Sequence, residues 1–102
     1  MIRAKFRFPQ EGGASFHIKG HAGFADEGED IVCAAVSSAA YMAANTVTEI
    51  LGVNAGAAAK DGDMEFSVTG SKEAANIVKG LRLHLTELAA QYPDFIQITT
   101  EE

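Results

Sequence analysis

The chain has 102 residues, 47% hydrophobic and 22% charged, which fits one globular domain with a thin core and excludes a separate substrate or cofactor module. With 14 acidic residues against 8 basic ones the formal net charge is −6, and the basic residues are scattered rather than gathered into the footprint of a direct nucleic-acid binder. Cys33 is the only cysteine, which rules out an intrachain disulfide and a multi-cysteine zinc site and points to a reducing, cytoplasmic setting.

From Ile2 to Phe8 apolar residues fall at every second position, with Arg3, Lys5 and Arg7 between them. That alternation predicts a half-buried strand with a basic wet face. Gln10-Glu11-Gly12-Gly13 forms a turn, and Phe16 and Ile18 resume the alternation with Ser15, His17 and Lys19 outward, so the two strands make a hairpin. The segment Gly20–Asp30 holds three glycines and four carboxylates without a period, and reads as a loop.

Helical spacing begins at Ile31 and runs to about Leu51 through Val32, Ala35, Val36, Ala39, Met42, Ala43, Val47 and Ile50. Asp30 is the expected N-cap, because its carboxylate can accept from the free amides of the first turn, and Gly52 the expected stop. The first ten residues lack the apolar run of a signal peptide, and Ile31–Ala44 is alanine-rich, interrupted by Ser37 and Ser38, and short for a bilayer. No membrane association is therefore expected.

Val53–Lys60 is weakly patterned and reads as a strand. Asp61-Gly62 is a turn signal, after which Met64, Phe66 and Val68 alternate with polar residues as a strand should. Ser71 caps a second helix with Ala74, Ile77, Val78, Leu81, Leu85 and Leu88 on one stripe, Pro93 prevents its continuation, and Phe95–Thr100 forms a last strand. The expected architecture is a single α+β domain over residues 1–102, in the order ββαββαβ, with one small sheet and two packed helices.

Chemistry concentrates between Gly20 and Cys33. With Asp30 as N-cap, Cys33 is the third helical residue, beside unpaired amides and the positive end of the helix dipole. Both favour a thiolate, while the Asp30 charge opposes it. His21 precedes Cys33 by 12 positions across a loop with glycines at both ends, so the chain can fold back and bring an imidazole to the sulfur. Such a pair suits acyl transfer, and the amides near Cys33 are expected to hold the oxyanion. Against this stands the plain reading of a buried cysteine and a surface histidine. His17 and His84 read as surface or structural residues, and no short metal-ligand spacing is present.

The blocks Gly20-His21-Ala22-Gly23 and Asp30-Ile31-Val32-Cys33-Ala34-Ala35-Val36-Ser37 resemble the signature of the ribosomal-processing cysteine protease family, known as Prp. The resemblance extends in pattern over the whole chain. It implies a homodimeric protein, needing no cofactor, that removes the N-terminal extension of a large-subunit ribosomal protein. By position it implies that His21 is the catalytic histidine and Cys33 the nucleophile, with Asp30 and Ser37 in support. Asp30 has two readings here, helix cap or orienter of His21. Gly20, Ala22, Gly23, Phe24 and Gly28 are the expected substrate contacts. The acidic stretch carrying Asp26, Glu27 and Glu29 is expected to act as a lid that suits a basic peptide. The competing readings are a non-catalytic ribosome-associated binding module, with His21 and Cys33 structural, and a thiol redox sensor.

Overall fold

The period-two segments build the sheet. In this computed structural model, which describes residues 1–26 and 30–101, β1 (Ile2–Arg7) buries Ile2, Ala4 and Phe6 and turns Arg3, Lys5 and Arg7 to solvent. β2 (Gly13–Lys19) runs antiparallel to it with Phe6 opposite Phe16. β3 (Gly56–Lys60) and β4 (Asp63–Thr69) form a second hairpin, and β4 pairs antiparallel with β2. β5 (Ile96–Glu101) lies parallel to β1, so the sheet order is β3-β4-β2-β1-β5. Gly13 permits the close approach of β2 to β4, since a Cβ there would lie 2.2 Å from the Val68 carbonyl oxygen at a φ of +89°.

One face of the sheet packs against α1 (Ile31–Asn45) and α2 (Lys72–Gln91). The row Phe6, Phe16, Phe66 crosses three strands with ring centroids 6.0 and 5.2 Å apart. Against these strands the helices bury Val32, Val36, Ala40 and Val47 on one side and Ala74, Val78, Leu81 and Leu85 on the other. Ser71 caps α2 by accepting from the Ala74 N–H at 3.1 Å. The opposite face of the sheet carries the polar set of Arg3, Lys5, Ser15, His17 and Glu65.

The element order is the expected one, with three local differences. Helix α1 does not continue to Leu51: from Thr46 to Ile50 it widens into a π-helical turn, closed by the Leu51 N–H on the Thr46 carbonyl at 2.9 Å. Thr46 and Thr48 there bond back to the carbonyls of Met42 (2.7 Å) and Ala44 (3.2 Å), which loosens the ordinary ladder. Secondly, Ile31, Met42 and Ile50 are not on the inner stripe but 60, 70 and 78% exposed. Alanine surrounds this helix, so the apolar period does not select a face, and the core takes the stripe Val32, Val36, Ala40, Ala43, Val47 instead. Thirdly, β3 begins at Gly56, leaving Val53–Ala55 outside the strand, and it is exposed on both faces.

The helical run Ile31–Ile50 is 20 residues long and, by length and composition alone, apolar enough to cross a membrane, which its 14-residue apolar part did not suggest. Its inner stripe is packed against the sheet.

Leu85 is fully buried at the centre of the α2 contact. Leu85→Ala is expected to lower unfolding stability by about 2–5 kcal/mol, the usual range for a truncated core leucine, read from the urea midpoint.

Candidate active site

The chain leaves β2 at Gly20, whose N–H donates to the Gly62 carbonyl at 2.8 Å. Gly20 has φ +101°, and a Cβ there would lie 2.4 Å from the Met1 carbonyl oxygen, so only glycine fits at this exit. His21 follows on the surface and Ala22 turns inward, 5% exposed, with its N–H donating to Cys33 Sγ at 3.2 Å. The segment after β2 is thereby held against the first turn of α1, as the fold-back of the loop requires.

Asp30 fixes the other end. Its Oδ1 accepts from the Val32 and Cys33 N–H groups, both at 3.0 Å, and its Oδ2 accepts from the Phe24 N–H at 3.1 Å. Asp30 is thus a helix cap and a loop clamp. Among the described residues, the carboxylate that pairs with His21 is a different one, Asp61, with Oδ2 at 3.9 Å from Nε2. One expectation is corrected here: the amides of Val32 and Cys33 already serve the cap, and the Ala34 N–H bonds to the Asp30 carbonyl at 3.1 Å, so these donors are not free for an oxyanion. The main-chain N–H aimed at the sulfur is that of Ala22.

The hydrogen bond from the Cys33 amide, followed by those from Phe24 and Ala25, holds the Asp30 carboxyl below its ordinary range. Cys33 moves the other way. Burial pushes its thiol up, the Ala22 N–H opposes that, and the Asp30 carboxylate adds to the rise. The helix start therefore does not deliver a thiolate by itself; desolvation and a fixed anion outweigh it. A neighbouring base would raise the fraction of this sulfur that can act as a nucleophile at neutral pH.

Two cavities flank Cys33, and His21, Ser37 and Asp61 line both. The smaller, about 110 Å³, is walled by Ile18, Val36, Ala40, Tyr41 and Met64 and also touches Gly20. The larger, about 420 Å³, opens past Gly23, Ala25, Asp30 and Ala34. A groove of similar volume on the open face of the sheet, about 420 Å³, runs along Lys5, Ser15, His17 and Glu65 and holds no thiol. Phe24 lines neither cavity beside Cys33; its ring packs edge-on against Tyr92 and Phe95, with centroids 5.8 and 5.3 Å away. Gly28, with Glu27 and Glu29 of the expected acidic lid, lies outside the described residues, and Asp26 is exposed.

Asp61, Gly62 and Tyr41 are site residues that sequence reasoning missed. Tyr41 stands two turns after Cys33 with Ser37 between them, and that four-residue spacing was a usable signal. For Asp61 and Gly62 there was only a turn signal, 40 residues from His21.

Among the described residues, His17, Asp63 and Glu65 are the group that could hold a metal, their ligand atoms lying within 4.8 Å of one another on the open face of the sheet. His17 Nε2 is hydrogen-bonded to Asp63 at 2.7 Å, a contact that lowers the Asp63 carboxyl, and Cys33 takes no part.

A small α+β domain with a half-buried thiol at a helix start, set beside a histidine in an open cavity, has the form of a thiol hydrolase. Residues 1–97 match the cysteine protease Prp family, and the chain belongs to that family of ribosomal-processing cysteine proteases. It is a cysteine protease. The ribosomal processing cysteine protease Prp of Bacillus subtilis (strain 168) is 31% identical, over 98% of this chain and 97% of that protein. Among solved structures, the essential ribosomal processing protease Prp from S. aureus, in complex with a covalently linked product peptide, superposes with a TM-score of 0.90 at 24% identity, over 99% of this chain and 100% of the other. SMU.848 from Streptococcus mutans superposes at 0.74 with 28% identity, covering 99% and 96%.

Removing the Asp30 charge is expected to free the thiolate: Asp30→Asn speeds iodoacetamide alkylation of Cys33 at pH 7 severalfold, since each pK unit is worth tenfold in thiolate. The same carboxyl gives a stability term of known sign. Its folded pKa is depressed, so the cap's contribution is complete above the ordinary carboxylate value near ~4 and is lost as pH falls through the lowered folded value. Acid unfolding followed by circular dichroism is expected to lose part of its pH dependence in Asp30→Asn.

Proposed function

We propose that Cys33 and His21 form the catalytic dyad of an endopeptidase that removes the N-terminal extension of a large-subunit ribosomal protein. The observation that carries this reading is the 3.2 Å hydrogen bond from the Ala22 N–H to Cys33 Sγ, which docks the residue after His21 directly on the sulfur. His21 takes the thiol proton as Sγ attacks the scissile carbonyl carbon, then gives that proton to the departing amine as the C–N bond breaks. Water, deprotonated by His21, attacks the thioester; the sulfur leaves and is reprotonated. As Sγ bonds to the carbonyl carbon it gives up the Ala22 N–H, which is then a main-chain donor at hand for the oxygen that gains charge.

The extended cavity past Gly23 and Ala25 suits a peptide rather than a compact metabolite, and the product peptide linked covalently to the S. aureus protease of the same fold supports that class of substrate. Asp30 and Asp61 give the lining of this cavity a negative sign, which favours the basic N-termini common among ribosomal proteins. Gly20 and Gly23 contribute backbone at this rim, and Asp30 and Ser37 support Cys33 from its own helix. We place the reaction in the cytoplasm, where a lone thiol stays reduced.

We infer also that two copies pair through the outer side of α1. Ile31, Met42 and Ile50 project there, 60 to 78% exposed, an apolar surface that a second copy of the same face would cover.

The dyad is tested with a peptide spanning the extension. Cys33→Ala is expected to yield no product and His21→Ala a fall of about 10²–10⁴ in kcat/KM, the usual worth of a general acid–base. Full activity in Cys33→Ala would overturn the reading. For the dimer, sedimentation velocity is expected to show two copies in the wild type and one in the Met42→Asp, Ile50→Asp double variant; a monomeric wild type at micromolar concentration sinks that part.

A further inference from the structure

The β3–β4 turn, Asp61-Gly62, is far from His21 in sequence but adjoins it in the fold. Three observations meet at this point. The Gly20 N–H bonds to the Gly62 carbonyl at 2.8 Å, which joins the end of β2 to the turn one residue before His21. Gly62 has φ +71°, and a Cβ built on it would lie 2.6 Å from His21 Nε2 and 3.1 and 3.3 Å from the adjoining ring carbons. The ring therefore rests over the bare Cα of Gly62, in space that any side chain would take. Lastly, Asp61 Oδ2 lies 3.9 Å from the same Nε2, and Asp61 lines both cavities beside Cys33.

We propose that Asp61 and Gly62 are the positioning residues of His21: Gly62 provides the seat on which the imidazole lies, and Asp61 determines which ring nitrogen carries the proton. This deepens the dyad reading and rests on it. A carboxylate facing Nε2 favours the tautomer with the proton on that nitrogen, leaving the Nδ1 lone pair as the base. At 3.9 Å the contact is longer than a hydrogen bond, and both side chains are largely exposed, so in the free protein the pairing is weak. A peptide lying in the cavities would exclude water from both groups, and catalytic contacts that are loose in the free enzyme tighten in the bound one.

Asp30, which the sequence offered as an orienter of His21, is committed to three main-chain N–H groups at the helix start. Asp61 stands where that role is open.

The two halves of the proposal separate by substitution. Gly62→Ala meets the movable end of a side chain rather than backbone, so the ring is displaced while the fold persists. Gly70→Ala is the matched control, since Gly70 has nearly the same φ, +69°, with nothing within 4 Å of its added Cβ. Gly62→Ala is expected to lower kcat by about 10–100-fold with KM within twofold, the scale of a base displaced by about 1 Å, and Gly70→Ala to leave kcat unchanged. Asp61→Ala is expected to lower kcat about three- to fivefold, the worth of an exposed ion pair, with Asp61→Glu restoring most of it. Independently of activity, ring ¹⁵N spectra of His21 in a Cys33→Ala background with the uncleaved extension peptide bound are expected to move toward the opposite tautomer in Asp61→Ala.

Equal losses in Gly62→Ala and Gly70→Ala would reduce the seat to backbone strain. Wild-type kcat together with an unchanged ring spectrum in Asp61→Ala would remove Asp61 from the mechanism. If His21→Ala itself keeps full activity, the dyad has failed rather than its positioning.

Discussion

The site depends on the hydrogen bonding of one carboxylate. A helix begins with amides that have no partner inside it, and Asp30 satisfies two of these with one oxygen while the other reaches back to Phe24. The first contacts fix where α1 starts, which sets the direction of Cys33 as its third residue. The last ties down the segment that left β2 at Gly20, so that Ala22 meets the sulfur. Alongside that clamp, buried Ala22 and the Phe24 ring against Tyr92 and Phe95 are apolar contacts that hold this segment. Charged acceptors make stronger hydrogen bonds than neutral ones, which suits a residue that must hold two segments at once.

The same clamp has an electrostatic consequence. An anion fixed at the start of α1 opposes a second anion on Cys33, and burial of the sulfur acts in the same direction. The arrangement holds a thiol at rest, which is less prone to oxidation than a thiolate. In the proposed dyad, reactivity comes from across the loop, through the exposed imidazole of His21. The glycines at Gly20 and Gly62 fit that proposal, since each lets two backbones or a ring approach where a Cβ would intrude.

Much of this was legible in the residues. Alternation at Ile2–Phe8 and Met64–Val68 gave strands with the correct buried faces, because in a two-layer domain each strand has one wet side and one dry side. Ser71 and the leucine stripe gave α2, and Asp30 gave the start of α1. Patterning failed where its contrast vanished. In α1, alanine is compatible with the core and with the surface, so the inner face could not be told from the outer one, and Met42 and Ile50 were placed on the wrong side. The π-helical turn escaped notice because hydroxyl back-bonding by Thr46 and Thr48 depends on side-chain rotamer rather than on residue type. Of the candidate site, the local part was readable and the part delivered by sheet pairing was not. Asp61 reaches His21 only because β4 pairs with β2 in the register Lys19 opposite Asp63, which brings the β3–β4 turn alongside the end of β2.

Alanine content in α1 is itself a condition of the site. Cys33, Ser37 and Tyr41 recur every four residues along one flank, Val32, Val36, Ala40 and Ala43 along the adjacent inner face, and Ile31 and Met42 along the outer one. A helix with large side chains on its inner face would stand farther from the sheet and fill the cavity beside Cys33. Ala34 and Ala40 line the two cavities, and their small side chains leave room on either side of Cys33. The bulk of the core comes from Phe6, Phe16 and Phe66 in the sheet, Leu81 and Leu85 in α2, and Val32, Val36 and Val47 along α1 and its π-helical turn. α1 thus does two things at once, with valines on the side turned to the core and Cys33, Ser37 and Tyr41 on the flank turned to the cavity.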